Sequence, residues 1–260
     1  MSELLIENQT KKSNERNMKT KQIVSLLAMT ALALSVRAAE PQATVADAIT
    51  ALKNKANYTW STTSEMANSQ FPAMTTKGKT EKDGFTFITS EGRNGEIQAI
   101  KKGTNGVVKT DDGWQTSAEL QSGEQGGPGR GFSARLLTAL APAEDAEELL
   151  KGVKELKAGD DGLFTADLTE QAAKDRASFF GRRRPGQGGA GFTPPEPKDA
   201  KGSVKFWVKD GVLIKLEVKT SAKITFQEEE RDMDRTATTS ITDIGSTKVE
   251  VPEDAKKKLL

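Results

Sequence analysis

The clearest pattern along the chain is alternation, and it is cleanest over residues 201–221. Val204, Phe206 and Val208 alternate with Lys205, Trp207 and Lys209. After Asp210-Gly211, Val212, Ile214, Leu216 and Val218 alternate with Leu213, Lys215, Glu217 and Lys219. Period two covers one face of a strand and wets the other, so the two runs predict an antiparallel hairpin. A two-residue Asp-Gly turn sets Phe206 opposite Lys215 and mixes the faces. A three-residue loop, Lys209-Asp210-Gly211, pairs Val208 with Val212, Phe206 with Ile214 and Val204 with Leu216. Because a slip of one residue inverts every side chain, a single apolar face predicts the three-residue loop. It leaves Trp207 and Leu213 together on the lysine-bearing face.

The same reading predicts strands over 58–66, over 78–82 and 85–90 around Asp83-Gly84, and over 96–101 and 107–110 around a Gly-rich turn. Asp112-Gly113 leads into 114–116, and Asp161-Gly162 into a strand over 163–167. Each Asp-Gly pair precedes an apolar residue, as turns entering strands do, and their uneven spacing excludes a solenoid. Further strands are expected over 223–227 and 236–242 around an exposed charged tip at 228–235. The chain closes on 248–251 before Pro252.

Helical spacing appears over 44–56, where Val45, Ala48, Ile49 and Leu52 share a face and Thr44 can cap the start. Over 132–156, Ser133 is expected to cap a helix carrying Leu136, Leu137 and Leu140, and Pro142 to start another with Leu149, Val153 and Leu156 on one stripe. Glu144, Asp145, Glu147 and Glu148 come early and Lys151, Lys154 and Lys157 late. That polarity suits the helix dipole and accounts for the acidic cluster without a metal. A short helix is expected over 169–180.

The front of the chain reads as a secretory signal peptide. Met18-Lys19-Thr20-Lys21 precedes an apolar run over 23–34, and Val36 and Ala38 favour cleavage after Ala38, with Met18 the expected start. The run falls short of the roughly 20 residues of a membrane span. Residues 39–260 then form a single domain, interrupted by low-complexity loops at 123–131 and 181–197 that cannot bury a core. Arg130, Arg182, Arg183 and Arg184 in these loops are candidates for contact with an anionic surface.

Composition removes much chemistry. The chain has no Cys and no His, which excludes disulfides, thiolate nucleophiles, a Ser-His triad and nearly every zinc or haem site. Basic and acidic residues balance at 38 and 37, so no nucleic-acid partner is expected. Asp111-Asp112 and Asp160-Asp161 precede Gly and read as turns, not general bases. The run 126–131 precedes a helix but lacks the Gly-Lys-Ser/Thr ending of a nucleotide loop. No cofactor, metal or enzymatic constellation is expected.

Gly113-Trp114, the run Gly162-Leu163-Phe164-Thr165-Ala166-Asp167-Leu168-Thr169, the hairpin strand Val204–Gly211 and the closing Ser240–Gly245 and Val249–Pro252 together resemble the LolA/LppX superfamily of periplasmic or envelope lipid and lipoprotein carriers. The chain departs from it in lacking an acylated Cys and in its long Gly/Arg insertion. The resemblance implies an α+β fold: a strongly curved antiparallel sheet, an incomplete barrel, whose concave face is covered by helices over an apolar cavity. It implies a non-enzymatic periplasmic or secreted protein that binds an acyl-chain ligand, a lipid or lipoprotein. Candidate lining residues are Phe85, Phe87, Trp114, Leu136, Leu140, Phe206, Val208, Ile214 and Leu216, for which ordinary core packing is the other reading. The alternative function is a structural or interaction module of the envelope with a filled core.

Overall fold

The structure, a computed structural model, describes residues 40–67, 72–92, 95–122, 129–178, 196–226 and 229–260. The expected signal peptide and Arg182, Arg183 and Arg184 lie outside the described residues. Helix α1 (Pro41–Lys53) leads into β1 (Asn57–Met66), β2 (Met74–Glu81), β3 (Thr86–Gly92), β4 (Gly95–Lys102), β5 (Asn105–Thr110) and β6 (Gly113–Thr116). Helices α2 (Ser117–Ser122), α3 (Gly129–Thr138) and α4 (Pro142–Lys151) follow, then β7 (Lys157–Ala158), β8 (Leu163–Asp167) and α5 (Glu170–Ala177). The chain ends with β9 (Lys198–Lys209), β10 (Val212–Phe226), β11 (Glu229–Thr242) and α6 (Glu253–Leu259).

All strands join one antiparallel sheet in the order β6-β5-β4-β3-β2-β1-β11-β10-β9-β8-β7. The edge strands β6 and β7 do not pair, so the barrel is incomplete. This is the α+β architecture that the LolA/LppX resemblance implied. Its one long-range closure is β1 against β11, with Trp60 facing Ile241 and Thr62 facing Thr239. That pairing joins two otherwise sequential meanders.

Adjacent residues on a strand point to opposite faces, and the centre of this sheet is covered on both. Ile88, Ala99 and Val108 enter the main core with Val45, Ile49 and Leu52 of α1, Leu136 of α3, Leu149 of α4 and Ala173 of α5. Their neighbours Ile100 and Val107 enter a second core with Trp114 and with Ala255 and Leu259 of α6. Helix α6, which the sequence pattern did not suggest, therefore covers the opposite face. Lys53 to Glu147, 2.9 Å, ties α1 to α4, and Lys258 to Glu119, 2.6 Å, ties α6 to α2.

The hairpin differs from expectation. Asp210 (φ 50°) and Gly211 (φ 72°) make a two-residue turn, both left-handed as a type I′ turn requires. Lys209 faces Val212 and Val208 faces Leu213. The mismatch of faces is absorbed by a bulge at Ile214, after which Trp207 faces Lys215, Phe206 faces Leu216 and Val204 faces Val218. One extra residue restores the alternation. Leu213 thereby turns inward and is fully buried. Trp207 alone stays on the outer face, where the Lys215 ammonium lies 4.4 Å from its ring centre.

Other boundaries shift for local reasons. Helix α1 begins at Pro41, whose fixed φ suits a first turn, so Thr44 lies inside it. Helix α3 begins at Gly129, which places Ser133 inside it, Leu140 beyond it, and the last residues of the loop expected over 123–131 within it. Helix α4 stops before Gly152, so Val153 instead bridges Leu168, and Leu156 is buried outside the helix. Thr169 caps α5, its hydroxyl accepting from the Ala172 amide at 3.3 Å. The charged residues Glu229–Arg235 are not a free tip. They pair along β10, with Lys223 to Glu230 at 2.9 Å.

Candidate functional site

A cleft of about 340 Å³ lies between the inward face of β2, β1, β11 and β10 and the helical segment from α3 to α5. Register fixes its floor. Along β11 the inward residues run Ile241, Thr239, Ala237 and Arg235, facing Trp60, Thr62, Ser64 and Met66 of β1; of these, Trp60, Thr62, Thr239, Ala237 and Arg235 line the cleft. On the other side Leu216, Val218 and Thr220 of β10 face Thr239, Ala237 and Arg235. Ile241 and Thr239 are buried, Ala237 is half-buried and Arg235 is exposed. The floor therefore grades from a deep apolar end to a charged rim.

The deep end is held by Trp60. Its indole lies across Gly78, the facing residue on β2, so closely that a Cβ on Gly78 would sit 2.2 Å from the ring. Its Nε1 donates to Thr80 Oγ1 at 3.1 Å, which satisfies the buried donor. Hydroxyls on the floor satisfy one another, Thr62 with Thr239 at 2.8 Å and Thr76 with Ser90 at 3.0 Å. Paired in this way, they demand little of a ligand. The roof carries Phe132, Leu136, Ala139 and Leu140, and the Lys101 ammonium of β4 donates to the Ala139 carbonyl just past α3.

The rim is ionic. Arg135, Arg176 and Arg235 line it, as do Asp145, Glu148 and Asp175. Arg176 Nη2 lies 2.7 Å from Asp145 Oδ1, and Gln171 donates to Asp175 Oδ1 at 2.8 Å. Arg235 Nε donates to Ser64 Oγ at 2.7 Å. Burial pushes the Arg135 pKa down. Loss of water is also the first cause lowering Arg235, followed by Arg135 and Arg176, with Asp145 opposing. A guanidinium stays charged through such shifts, so the rim holds three cations against the three carboxylates of Asp145, Glu148 and Asp175.

The sequence-predicted lining residues do not share one cavity. Leu136, Leu140 and Leu216 line the cleft. Phe206 is fully buried in the main core, and Val208 packs partly buried against it. Ile214 is the residue inserted at the bulge and does not line the cleft. Phe85, Phe87 and Trp114 belong to the second core under α6; Phe87 on β3 and Trp114 on β6 point to the opposite face, and Phe85 lies just before β3. Arg130 falls in α3, its side chain outside those described. Trp60, Val218, Arg176 and Arg235 were missed by sequence reasoning. For Trp60 the signal was present, since Tyr58, Trp60 and Thr62 alternate with Thr59 and Ser61.

A larger depression, about 510 Å³, lies at the far ends of β1, β9, β10 and β11, lined by Glu65, Lys201, Lys219 and Asp234 among others. Met66 and Ala67 are the apolar side chains in its walls, whereas the cleft offers Trp60, Phe132, Leu136, Leu140, Leu216 and Val218, so the cleft is the better site for an apolar ligand. Among the described residues, no acidic group could hold a metal ion, and no helix is long and apolar enough to cross a membrane.

No family model matches the chain, and no curated protein matches its sequence. Among solved structures it is similar to LprF from Mycobacterium bovis, at 10% identity over 83% of this chain and 97% of that one, with a TM-score of 0.39. It is similar to a LolA superfamily protein from Nitrosomonas europaea, at 11% identity over 84% and 97%, with a TM-score of 0.33. A DUF1329 family protein from Desulfovibrio piger matches at 8% identity over 78% and 92%, with a TM-score of 0.31.

Proposed function

We propose that the chain is an exported, non-enzymatic envelope protein that takes an acyl chain into the cleft beneath α3. The observation that carries this reading is the inner wall of that cleft, where Trp60, Leu136, Leu216 and Val218 lie together; with its rim the cleft measures about 340 Å³. Ligand pockets span about 300–1,000 Å³, and this one sits at the low end, which suits one chain better than several. Each methylene buried there contributes about 0.8 kcal/mol. The signal-peptide pattern supports a periplasmic or secreted location, and the balanced charge supports no nucleic-acid partner. Arg130 and Arg182–Arg184 would add contact with an anionic membrane.

A filled-core interaction module of the envelope is the second reading. It is favoured by Phe85, Phe87, Trp114, Phe206 and Val208, which pack into the two cores. The test uses the three tryptophans of the chain. In a W114F/W207F variant the cleft residue Trp60 is the only indole. Titration with a long-chain fatty acid should shift its emission and saturate at one equivalent. Emission that does not change while the chain stays folded would favour the filled-core module.

A further inference from the structure

We propose that the rim of the cleft selects an anionic headgroup, so that the ligand is a single-chain amphiphile whose carboxylate or phosphate ends against Arg176 and Arg235. This builds on the carrier reading of the same cleft and adds the chemistry of the ligand's polar end.

The geometry supplies both halves of an amphiphile site in one line. The inward register of β11 in the cleft passes from buried Thr239 through Ala237 to Arg235, that is, from the buried end of the floor to the exposed rim. A chain lying along that floor with its tail at Trp60 brings its polar end to Arg235. The same rim holds carboxylates, and these decide whether an anion is welcome. Asp145 is already the ion partner of Arg176, Asp175 accepts from Gln171, and Glu148 and Arg135 are not free.

The unmet valence is on the cationic side. Among the described residues, Nε and Nη2 of Arg176 are buried with no hydrogen-bond partner. The Asp145 oxygen 2.7 Å from Nη2 is close as a charge but lies off the direction a hydrogen bond requires. Buried polar groups are nearly always paired, and because Arg176 lines the cleft, a rotation of its guanidinium would offer these donors to a ligand oxygen. Arg235 bonds only a neutral hydroxyl, that of Ser64, among the described contacts. A planar guanidinium fork fits carboxylate and phosphate alike.

The experiment measures calorimetric binding of laurate, dodecyl phosphate, dodecanol and inorganic phosphate to the full chain. The proposal expects the charged amphiphiles to bind on the order of tenfold tighter than dodecanol, the scale of a hydrogen bond to a charged group. Inorganic phosphate should bind far more weakly than dodecyl phosphate. In Arg235→Gln, which leaves Arg176 in place, the preference for charge should fall severalfold, with circular dichroism showing that the variant is folded. Arg176→Lys, which keeps a cation beside Asp145 but loses the fork, should lower the preference without abolishing it. Equal affinity for laurate and dodecanol would overturn the headgroup proposal and leave the carrier reading standing. Inorganic phosphate binding as tightly as dodecyl phosphate would make this a free-anion site and overturn it too. Binding of none of the chains would overturn both readings together.

Discussion

Replacing Gly162 with Ala should cost more stability than replacing Gly211 with Ala, although the two glycines hold the same backbone shape. Each is the second residue of an Asp-Gly turn, with φ of 74° at Gly162 and 72° at Gly211. A side chain in that left-handed region costs about 1–2 kcal/mol, so this part is common to both. At Gly211 an added Cβ meets nothing within 4 Å, whereas at Gly162 it would lie 2.0 Å from the Val208 carbonyl oxygen. Relief requires β8 to move off β9. That strains the bond from the Val208 amide to the Gly162 carbonyl, now 2.8 Å, which is worth about 0.5–1.5 kcal/mol. It also disturbs Phe164, which faces Phe206 across the same pair. The excess of Gly162→Ala over Gly211→Ala is therefore about 1 kcal/mol or more, or about 2–4 °C in Tm for a domain of this size. Urea and thermal unfolding of the full chain measure it. Equal losses in the two variants would show that β8 and β9 do not approach as described.

Phe206→Ala removes a fully buried ring facing Phe164 and Leu216 and should cost about 3–5 kcal/mol in urea unfolding; a loss below about 1 kcal/mol would contradict its central place. Leu259→Asp puts a carboxylate into the second core, where it must be buried unpaired or detach α6. Acrylamide quenching of Trp114 should rise, and unchanged quenching would mean that α6 does not cover that face. The Lys258 hydrogen bond is the first cause holding the Glu119 pKa down, from 4.5 to about 2. A depressed carboxyl stabilises the fold fully above its unfolded value, and that contribution is lost as pH falls from about 4.5 towards about 2. Lys258→Ala should raise the Glu119 pKa in an NMR titration, although the Thr116 amide and hydroxyl still hold it below 4.5; a pKa that does not rise at all would refute the contact.

Strands were legible in the sequence where alternation and an Asp-Gly turn agreed, and 163–167 matches β8 residue for residue. The bulge at Ile214 was not legible. It reconciles a two-residue turn with a single apolar face, and period alone cannot tell an inserted residue from a longer loop. Helix α6 left little trace because it packs through only Ala255 and Leu259. Its acidic start, Glu253 and Asp254, and its basic end, Lys256–Lys258, were the available signal. Phe85, Phe87 and Trp114 were assigned to the cavity because a sheet covered on both faces is apolar on both, and alternation does not say which face is concave. Leu136, Leu140 and Leu216 were found as apolar positions. The arginines of the rim were not, since Arg235 meets Ser64 across 171 residues of chain only once β1 pairs with β11.

The central claim is that the cleft under α3 holds an acyl chain. Its most direct test is native mass spectrometry of the full chain purified from a lipid-containing lysate, followed by extraction and identification of whatever is bound. One co-purifying single-chain lipid per protein, displaced by added fatty acid, is the expected result. Protein that is reproducibly lipid-free and takes up no fluorescent fatty acid would contradict it.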